Sequence, residues 1–216
     1  MSSAEKDSPP GIKKDKTRQR INTVLFMLAV TFVFISVLSL IYLFTKDRIQ
    51  RNETLFLKKA VLFTGGFPIP DNDEEVEALF SRRIEEVRDE NRNILYYRVL
   101  GDDHEPSVDM KGYVIPARGA GLWGAIDALV GFSTNLDVII GIDFVKDNET
   151  PGLGARINED WFREQFRGKE GKLSMVDEKS PADSHQFQGI TGATITTTAV
   201  QNIINKTREK APEVIR

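Results

Sequence analysis

The sequence contains no cysteine and only two histidines among its 216 residues. Without cysteine, the chain cannot supply a disulfide, a thiolate nucleophile, an iron–sulfur cluster or a thiolate zinc site. The two histidines, His104 and His185, are too few for a histidine-rich metal site. Any redox chemistry carried by this chain would therefore depend on a bound organic cofactor.

An excess of positive charge is also missing. The chain has 29 Lys and Arg residues against 32 Asp and Glu residues, which gives a formal net charge of -3. A protein that binds nucleic acid through the phosphate backbone usually carries a clear basic excess. The composition therefore excludes nucleic acid as the partner of the chain as a whole.

One long uncharged run lies near the N-terminus. Residues 21–45, INTVLFMLAVTFVFISVLSLIYLFT, are 25 consecutive residues without a charge, and as a helix rising about 1.5 Å per residue they exceed the roughly 30 Å hydrocarbon core of a bilayer. A cleaved signal peptide is the alternative, but its apolar region spans about 7 to 15 residues and ends in a small-residue cleavage site. This run ends in LIYLFTKDR, so we predict an uncleaved transmembrane helix.

The charges that flank this run predict its orientation. Six Lys and Arg residues precede it, whereas Lys46, Arg48 and Arg51 follow it closely. Because the more positive flank of a span stays in the cytoplasm, we expect a cytoplasmic N-terminus and a globular part outside the inner membrane, in the periplasm or its equivalent. Lys58 and Lys59 reduce the contrast when a wider window is counted.

The rest of the chain is long enough for one domain with a hydrophobic core. Residues 1–20 are polar, contain proline and lack apolar periodicity, which is typical of a disordered tail. After the span, a helix should continue until Gly65-Gly66 ends it. The predicted division is a cytoplasmic tail at 1–20, a transmembrane helix at 21–45, a helical stalk at 46–70, an extracytoplasmic domain at 71–210 and a tail at 211–216.

The domain begins with an amphipathic pattern. In residues 71–93 the apolar residues keep helical spacing, and acidic residues gather at the start, where the helix dipole favours them. We predict one helix whose apolar face is formed by Val76, Leu79, Phe80, Ile84 and Val87.

Short runs rich in β-branched and aromatic residues follow this helix and predict strands. Asn135, between the last two runs, is typical of a hairpin turn. Consecutive strands without helices between them favour an antiparallel sheet flanked by helices, an α+β fold. The predicted strands are residues 94–100, 111–116, 125–133 and 136–145.

The C-terminal third predicts two helices and a weaker strand. Asn158 is expected to cap a short helix whose apolar face is Trp161, Phe162 and Phe166. A weaker strand, KLSMV, follows, and the chain closes with a β-branched run and a helix over 196–211.

Two glycine-rich loops precede these elements. Residues 147–157, DNETPGLGARI, join a strand to a helix, and residues 118–126, RGAGLWGAI, carry Leu122 and Trp123 just ahead of a strand. Glycine permits positive φ or close approach of a ligand to the backbone, but the same composition is typical of an ordinary tight turn. A single tryptophan such as Trp123 is also more often a core residue than a cofactor platform.

Several threonines lie close together at the junction with the last helix. In GITGATITTTAV, residues 189–200, a strand passes into a helix whose free N–H groups form a ready phosphate site. A threonine hydroxyl at this point could donate to a phosphate, cap the helix or serve as a covalent attachment point. Thr196, Thr197 or Thr198 is expected to cap the helix.

Two motifs resemble the FMN-binding domain family, which is found in the C subunit of Na+-translocating NADH:quinone reductases (Nqr) and in the G subunit of Rnf complexes. The segment TGATIT, starting at Thr191, resembles the family's [S/T]-G-A-T flavinylation motif, and ETPGLG at 149–154 matches its other signature. The Gly121-Leu122-Trp123 segment, the single N-terminal span and the Trp161 helix fit as well. The resemblance covers nearly the whole chain outside the tail.

The resemblance implies an electron-transfer subunit of a membrane complex that carries FMN joined by a phosphoester to Thr194. A flavin transferase would attach the cofactor, other subunits would exchange electrons with it, and electron transfer would be coupled to Na+ or H+ transport. The family often has Asp six residues before the modified threonine, where this chain has Gln188. The residues implied to bind FMN are Thr194, Thr191, Gly192, Ala193, Ile195, Thr196, Glu149, Thr150, Gly152, Leu153, Gly154, Leu122 and Trp123.

Within that site, the ring and the phosphate would have different neighbours. Thr150, Leu153, Leu122 and Trp123 could line the ring, while the helix start holds the phosphate. Two other functions fit parts of the sequence. One is a membrane-anchored FMN module with a sensory or regulatory role; the other is a secreted hydrolase with Thr194 as nucleophile, although neither histidine lies in a recognisable pairing with it.

Overall fold

The computed structural model describes the backbone of residues 11–101 and 110–215, with side chains from Arg18 onward in those ranges. His104 and residues 1–10 of the predicted tail lie outside the described residues. The chain separates into two compact units, Met1–Asn52 and Glu53–Arg216.

The first long element is a 54-residue helix, α1, at Gly11–Thr64. Its part from Arg18 has a window of mean hydropathy 2.8 with no buried residues, so length and composition allow it to cross a membrane. The helix begins ten residues before the predicted span, which places residues 11–20 in a helix instead of a disordered segment. Once the apolar run is helical, each added residue gains a backbone hydrogen bond without a new nucleation cost.

The end of α1 is part of the second compact unit. Ala60, Val61 and Leu62 are at most 2% exposed and pack into a hydrophobic cluster. The helix ends at Thr64, just before Gly65-Gly66 as predicted. The last turns of the predicted stalk are therefore part of the domain, because their apolar side chains pack against the sheet.

The predicted helix over 71–93 is two elements. Helix α2 spans Asp73–Arg83, with Asn72 as its N-cap accepting from the Glu74 N–H at 3.1 Å. Strand β1, Ile84–Arg88, follows immediately and pairs antiparallel with the next strand. The helical prediction for Ile84 and Val87 was wrong because cross-strand pairing overrides the weak helical periodicity of this segment.

The main sheet has five antiparallel strands in the order in which they follow along the chain. This arrangement, with helices around it, confirms the predicted α+β fold. The hairpin turn at Asn135 is also present, since the Ser133 N–H donates to the Val138 carbonyl at 2.9 Å. After β1, the strands are β2 at Ile94–Leu100, β3 at Met110–Ala120, β4 at Ala125–Ser133 and β5 at Ile139–Lys146.

Each face of the sheet packs against different elements. One cluster joins Val99, Val114 and Leu129 to the end of α1 and to α2. Gly131 and Gly141, which face each other in the β4–β5 register, let the backbone of Thr64 approach the sheet. A Cβ on Gly131 would lie 2.5 Å from the Thr64 carbonyl oxygen.

The C-terminal elements cover the opposite face. Phe162, Phe166 and Phe187 are fully buried in a cluster that also contains Ile203 of the last helix and residues of the sheet. These elements are a 3-10 helix at Gly154–Asn158, α3 at Asp160–Glu164, the parallel strands β6 at Ser174–Val176 and β7 at Gln186–Gln188, and α4 at Thr194–Val214.

One predicted cap in this region was wrong. Asn158 belongs to the 3-10 helix, and its side-chain amide donates to Asp147 Oδ2 at 2.9 Å and to the Ala155 carbonyl at 3.2 Å. Glu159 occupies the N-cap of α3 without a side-chain cap bond. The Asn158 side chain therefore bonds to Asp147 within the loop before α3 and does not cap the helix.

Candidate functional site

Two loops and the first turn of α4 meet at the carboxylate of Glu149. One oxygen, Oε1, accepts from the backbone N–H groups of Leu122 at 2.8 Å and Trp123 at 3.3 Å. The other, Oε2, accepts from the Thr196 hydroxyl at 2.6 Å. Glu149 is only 6% exposed, so this buried charge is stabilised by three donors from two other segments. The ETPGLG loop, the loop after β3 and the first turn of α4 are thereby held together.

Two glycines make this junction possible. A Cβ on Gly121 would lie 2.3 Å from Glu149 Oε1, and a Cβ on Gly154 would lie 2.6 Å from Oε2 and 2.7 Å from the Thr196 hydroxyl. All three distances are far below van der Waals contact. The glycines of these two loops therefore provide the space for the carboxylate.

Two further glycines adopt the left-handed conformation. Gly152 has φ of +74° and Gly192 has φ of +80°, a region that glycine enters at little cost. A Cβ on Gly192 would lie 3.1 Å from Leu153 Cδ2, so the ETPGLG loop lies directly against the TGAT segment. The Thr150 carbonyl closes the ETPGLG turn by accepting from the Leu153 and Ala155 N–H groups, each at 3.1 Å.

Helix α4 begins at Thr194 and presents unpaired backbone donors. Ala193 is the N-cap and offers no side-chain cap bond. Within the described residues, no acceptor is present for the N–H groups of Thr194, Ile195 and Thr196. Free N–H donors at the positive end of a helix dipole favour the binding of an anion. The side chain of Thr194 is exposed at this point.

The capping role predicted for the later threonines was wrong. Thr196 donates to Glu149, and Thr197 donates to the Ala193 carbonyl at 3.0 Å while it accepts from the Ile190 N–H at 3.2 Å. Both are buried inside the first turn, whereas Thr198 is exposed. Because the helix starts two residues earlier than predicted, these hydroxyls brace the turn from within and leave its N–H groups free.

Large apolar side chains near the start of α4 face solvent. Beyond α1, the described residues include five exposed large hydrophobic side chains, and four of them lie on the two loops and the helix turn that meet at Glu149. Trp123 is 67% exposed, so the alternative that it is a core residue is excluded. The four are Leu122 at 48%, Trp123 at 67%, Leu153 at 44% and Ile195 at 59%.

A second carboxylate holds the TGAT segment from the other side. Glu178 Oε2 accepts from the Thr191 N–H at 2.7 Å, and Oε1 pairs with the Arg156 guanidinium at 2.9 Å. Arg156 and the Thr191 N–H lower the pKa of Glu178 to about 2, because both stabilise the charged carboxylate. Arg156, whose own pKa is raised by Glu178, links this contact to the 3-10 helix.

The side chain of Gln188 supports the turn that carries Glu178. Its Oε1 accepts from the Lys179 N–H at 3.0 Å, and its Nε2 donates to the Ser180 carbonyl at 2.9 Å. A carboxylate at this position could accept from Lys179 but could not donate to Ser180. Gln188 therefore has a defined structural role in this chain.

The structure brings the residues predicted from sequence into one region. Glu149 is buried as the junction, while Thr194, Leu122, Trp123 and Leu153 are exposed around it. Sequence reasoning missed Glu178 and Arg156, which lie 13 and 35 residues before Thr191. A lone acidic residue before a turn is a weak signal, and only the fold places it at the motif.

Comparisons with known proteins agree with these features. Residues 121–209 match the FMN-binding domain family. The chain is 30% identical over 159 residues to the C subunit of the Na+-translocating NADH-quinone reductase of Yersinia pestis, covering 69% of this chain and 58% of that one. It is 40% identical over 99 residues to the G subunit of the proton-translocating ferredoxin:NAD+ oxidoreductase complex of Clostridium ljungdahlii, covering 45% and 52%.

A solved structure has the same fold. The crystal structure of the C subunit of the Na+-translocating NADH-quinone reductase from Parabacteroides distasonis superposes with a TM-score of 0.61 at 23% identity, covering 79% of this chain and 97% of that one. The present chain spans little more than half the length of the two curated relatives. Residues 121–209, which include the loop after β3, the ETPGLG loop and most of α4, thus match the FMN-binding domain family.

Proposed function

We propose that the chain is the FMN-carrying electron-transfer subunit of a membrane-bound, ion-translocating oxidoreductase complex of the Rnf or Nqr type. The observation that carries the proposal is the cluster of exposed apolar side chains, Leu122, Trp123, Leu153 and Ile195, beside a helix N-terminus with free donors. A flavin mononucleotide has an apolar ring and an anionic phosphate, so its two parts match the two parts of this region.

The phosphate end of the proposed site is formed by α4. The N–H groups of Thr194, Ile195 and Thr196 would receive phosphate oxygens, and Gly192 leaves the approach open because it has no side chain. Thr194, as the first residue of the helix with an exposed side chain, has its hydroxyl beside those donors.

We further propose that Thr194 Oγ is joined to the FMN phosphate as a phosphoester. The bond replaces one phosphate oxygen, so the adduct equals FMN less one water, and a flavin transferase would be required to form it. Thr194 is the threonine that the TGAT resemblance selects, and it is exposed, whereas Thr196 and Thr197 are buried and engaged in hydrogen bonds. Attachment would keep the cofactor from being lost outside the cytoplasm.

When bound, FMN would accept and donate electrons, and the chain's residues would only bind and orient it. Leu122, Trp123 and Leu153 would cover the ring and exclude water. Glu149 would hold the loops that carry them, and it would not touch the ring because all three of its hydrogen bonds are internal. The electron donor and acceptor would be neighbouring subunits, and the transfer would be coupled to Na+ or H+ transport in the complex.

Attachment is tested by expressing the full chain with a flavin transferase and examining it on a denaturing gel. The wild-type band should keep flavin fluorescence, because a phosphoester survives unfolding. Thr194→Val should abolish the fluorescence, and intact mass should fall by one FMN less one water. Thr198→Val is the matched control, since Thr198 is exposed one turn further along the same helix, and it should stay fluorescent.

Three results would reject parts of the proposal. Fluorescence retained by Thr194→Val would move the attachment to another residue. A wild-type chain that carries no adduct and binds no FMN would remove the basis for an electron carrier, whereas a flavinylated chain that copurifies with no redox partners would favour a sensory or regulatory FMN module.

A further inference from the structure

The second half of β3 has an open backbone edge. Strand β2 pairs with β3 only from Met110 to Val114, whereas β4 pairs with β3 as far as Ala120. Among the residues that the structure describes, 115–120 therefore pair with a neighbouring strand on one side only. An unpaired strand edge is a template for another strand, and proteins usually cover it or shorten it.

This open edge lines a groove that is closed on one side by α4. The groove has a volume of about 360 Å³ and contains all of residues 115–120 together with one side of the helix. Since neighbouring side chains of a strand point to opposite faces, six consecutive residues can share a groove only through the backbone edge. We call this space the edge groove. Its helical residues are Ala199, Asn202, Ile203, Lys206, Thr207, Lys210 and Val214.

The hydrogen-bonding direction of the edge follows from Pro116. Proline has no N–H, so it is tolerated in a strand where that donor is not needed for the ladder. Pro116 pairs in register with Leu129 of β4, without a bulge along β3, so its missing donor is on the open side. By the two-residue period, the N–H groups of Arg118 and Ala120 also point to the open side.

The charge of the edge groove is positive although the chain is acidic. Lys206, Lys210 and Arg118 line it, and the chain as a whole has a net charge of -3. Arg118 pairs with Asp127 at 3.3 Å. Among the described residues, no carboxylate forms an ion pair with Lys206 or Lys210. The two lysines are thus available to an acidic ligand.

We propose that the edge groove binds an extended, acidic peptide segment of a partner protein, which adds a strand antiparallel or parallel to β3 where β2 leaves it. Backbone groups of residues 115–120 would supply the main-chain hydrogen bonds, as in other cases of strand addition. Lys206 and Lys210 would select acidic side chains. Six residues of strand span about 20 Å, so the segment needs about six residues.

The groove is separate from the proposed FMN site. That site uses the N-terminal turn of α4, whereas the groove uses the same helix from Ala199 onward. The proposal therefore does not depend on flavin binding, and one rigid helix would connect the two regions.

The test uses the full-length protein in detergent and the peptide acetyl-Thr-Glu-Val-Glu-Val-Glu-amide as probe. The peptide should bind saturably and slow amide hydrogen exchange at Arg118 and Ala120. A copy with every backbone nitrogen methylated should not bind, because it has no N–H donor left on either edge to pair with the carbonyl groups of β3. The copy with Lys in place of Glu should bind about tenfold more weakly, since like charges would face each other.

A double variant locates the binding site. Lys206→Glu with Lys210→Glu should weaken binding of the acidic peptide about tenfold, whereas the exposed Lys172→Glu, outside the groove, should leave it unchanged. No saturable binding, equal binding of the methylated peptide, or an unchanged affinity of the double variant would each overturn the proposal. Concentration-dependent dimerisation that protects residues 115–120 would instead assign the edge to a second copy of this chain.

Discussion

At the scale of single residues, two carboxylates hold together the segments of the proposed FMN site. Glu149 joins two loops to the first turn of α4 through a buried carboxylate, and Glu178 holds the start of the TGAT segment through Thr191. Each accepts from a backbone N–H that would otherwise lack a partner. The shape of the region therefore depends on acceptors placed far apart in sequence, with the exposed apolar side chains arranged by them.

Replacing Glu149 tests its role as the junction. In Glu149→Gln, one side-chain oxygen remains and an NH2 group replaces the other. Either the loop N–H groups or the Thr196 hydroxyl then lose the acceptor for their proton. We expect a loss of about 1–3 kcal/mol in the free energy of unfolding, measured by denaturant titration, with faster amide exchange at Leu122 and Trp123. Glu90→Gln, an exposed control, should match wild type. Unchanged exchange at both loop amides would contradict the junction role.

Glu178 predicts a pH dependence with a defined sign. Its pKa is lowered from 4.5 to about 2 by the Arg156 guanidinium and the Thr191 N–H. A lowered folded-state pKa means that the charged form stabilises the fold above pH 4.5, and that this contribution is lost as the pH falls toward about 2. Glu178→Gln should therefore be less stable than wild type at pH 7, and the difference should shrink through this window.

This dependence is measured by unfolding both proteins in denaturant at a series of pH values. Glu90→Gln serves again as the control, because Glu90 is exposed, and its difference from wild type should be small throughout. A stability difference for Glu178→Gln that is as large near pH 2 as at pH 7 would show that the ion pair is not its cause.

At the scale of elements, the end of α1 is fixed to the sheet by close backbone contact. Gly131 and Gly141 face the Thr64 backbone, and Arg167 donates to the Phe63 carbonyl at 3.0 Å and the Ile140 carbonyl at 2.7 Å. One arginine thus satisfies a carbonyl at the helix end, where no intrahelical donor remains. The last turns of α1 are therefore as much a part of the domain core as the strands.

Adding one methyl group at Gly131 should loosen this contact. In Gly131→Ala the new Cβ would lie 2.5 Å from the Thr64 carbonyl oxygen, and backbone cannot move aside easily, so we expect a loss of about 1–3 kcal/mol in unfolding free energy. Gly168→Ala is the comparison, because its Cβ meets no atom within 4 Å and only its φ of +74° opposes the change. We expect it to cost about 1 kcal/mol. Wild-type stability of Gly131→Ala would contradict the close packing.

At the scale of the whole molecule, the apolar helix and the compact α+β unit need different solvents. The window of α1 with mean hydropathy 2.8 has no buried residues, so its exposed Leu, Phe and Val side chains need an apolar solvent such as a bilayer. The two curated relatives described above are subunits of ion-translocating oxidoreductases. Both observations support attachment of this chain to a membrane.

The orientation of the chain across that membrane is a prediction. Because six Lys and Arg residues precede the span and three follow it closely, the unit Glu53–Arg216 should lie outside the cytoplasm. Alkaline phosphatase, which is active only outside, fused after Arg216 should be active, and a green fluorescent protein fused there through the general secretion route should stay dark. The reverse pattern would overturn the orientation, and replacing the N-terminal Lys and Arg residues with Gln should weaken it.

The sequence by itself determined the features that depend on local periodicity and backbone chemistry. An apolar run of 25 residues predicts a helix of membrane length, β-branched runs predict strands β2 and β4 with their observed bounds, and Gly65-Gly66 ends α1. The motifs ETPGLG and TGAT also indicated the region that we propose as the FMN site, because glycine and threonine patterns carry a specific backbone and hydroxyl chemistry. These signals lie within a few residues of the feature they predict.

Only the tertiary structure decided the features that depend on a distant partner. Ile84–Arg88 is a strand because β2 is beside it, the end of α1 is buried because a sheet covers it, and Glu149 reaches Leu122 and Thr196 across 27 and 47 residues. In such segments the local preferences for helix and for strand are similar, so pairing with a distant strand decides which of the two forms. The same reason hides Glu178 from the sequence, since its acceptor role exists only once the chain has folded.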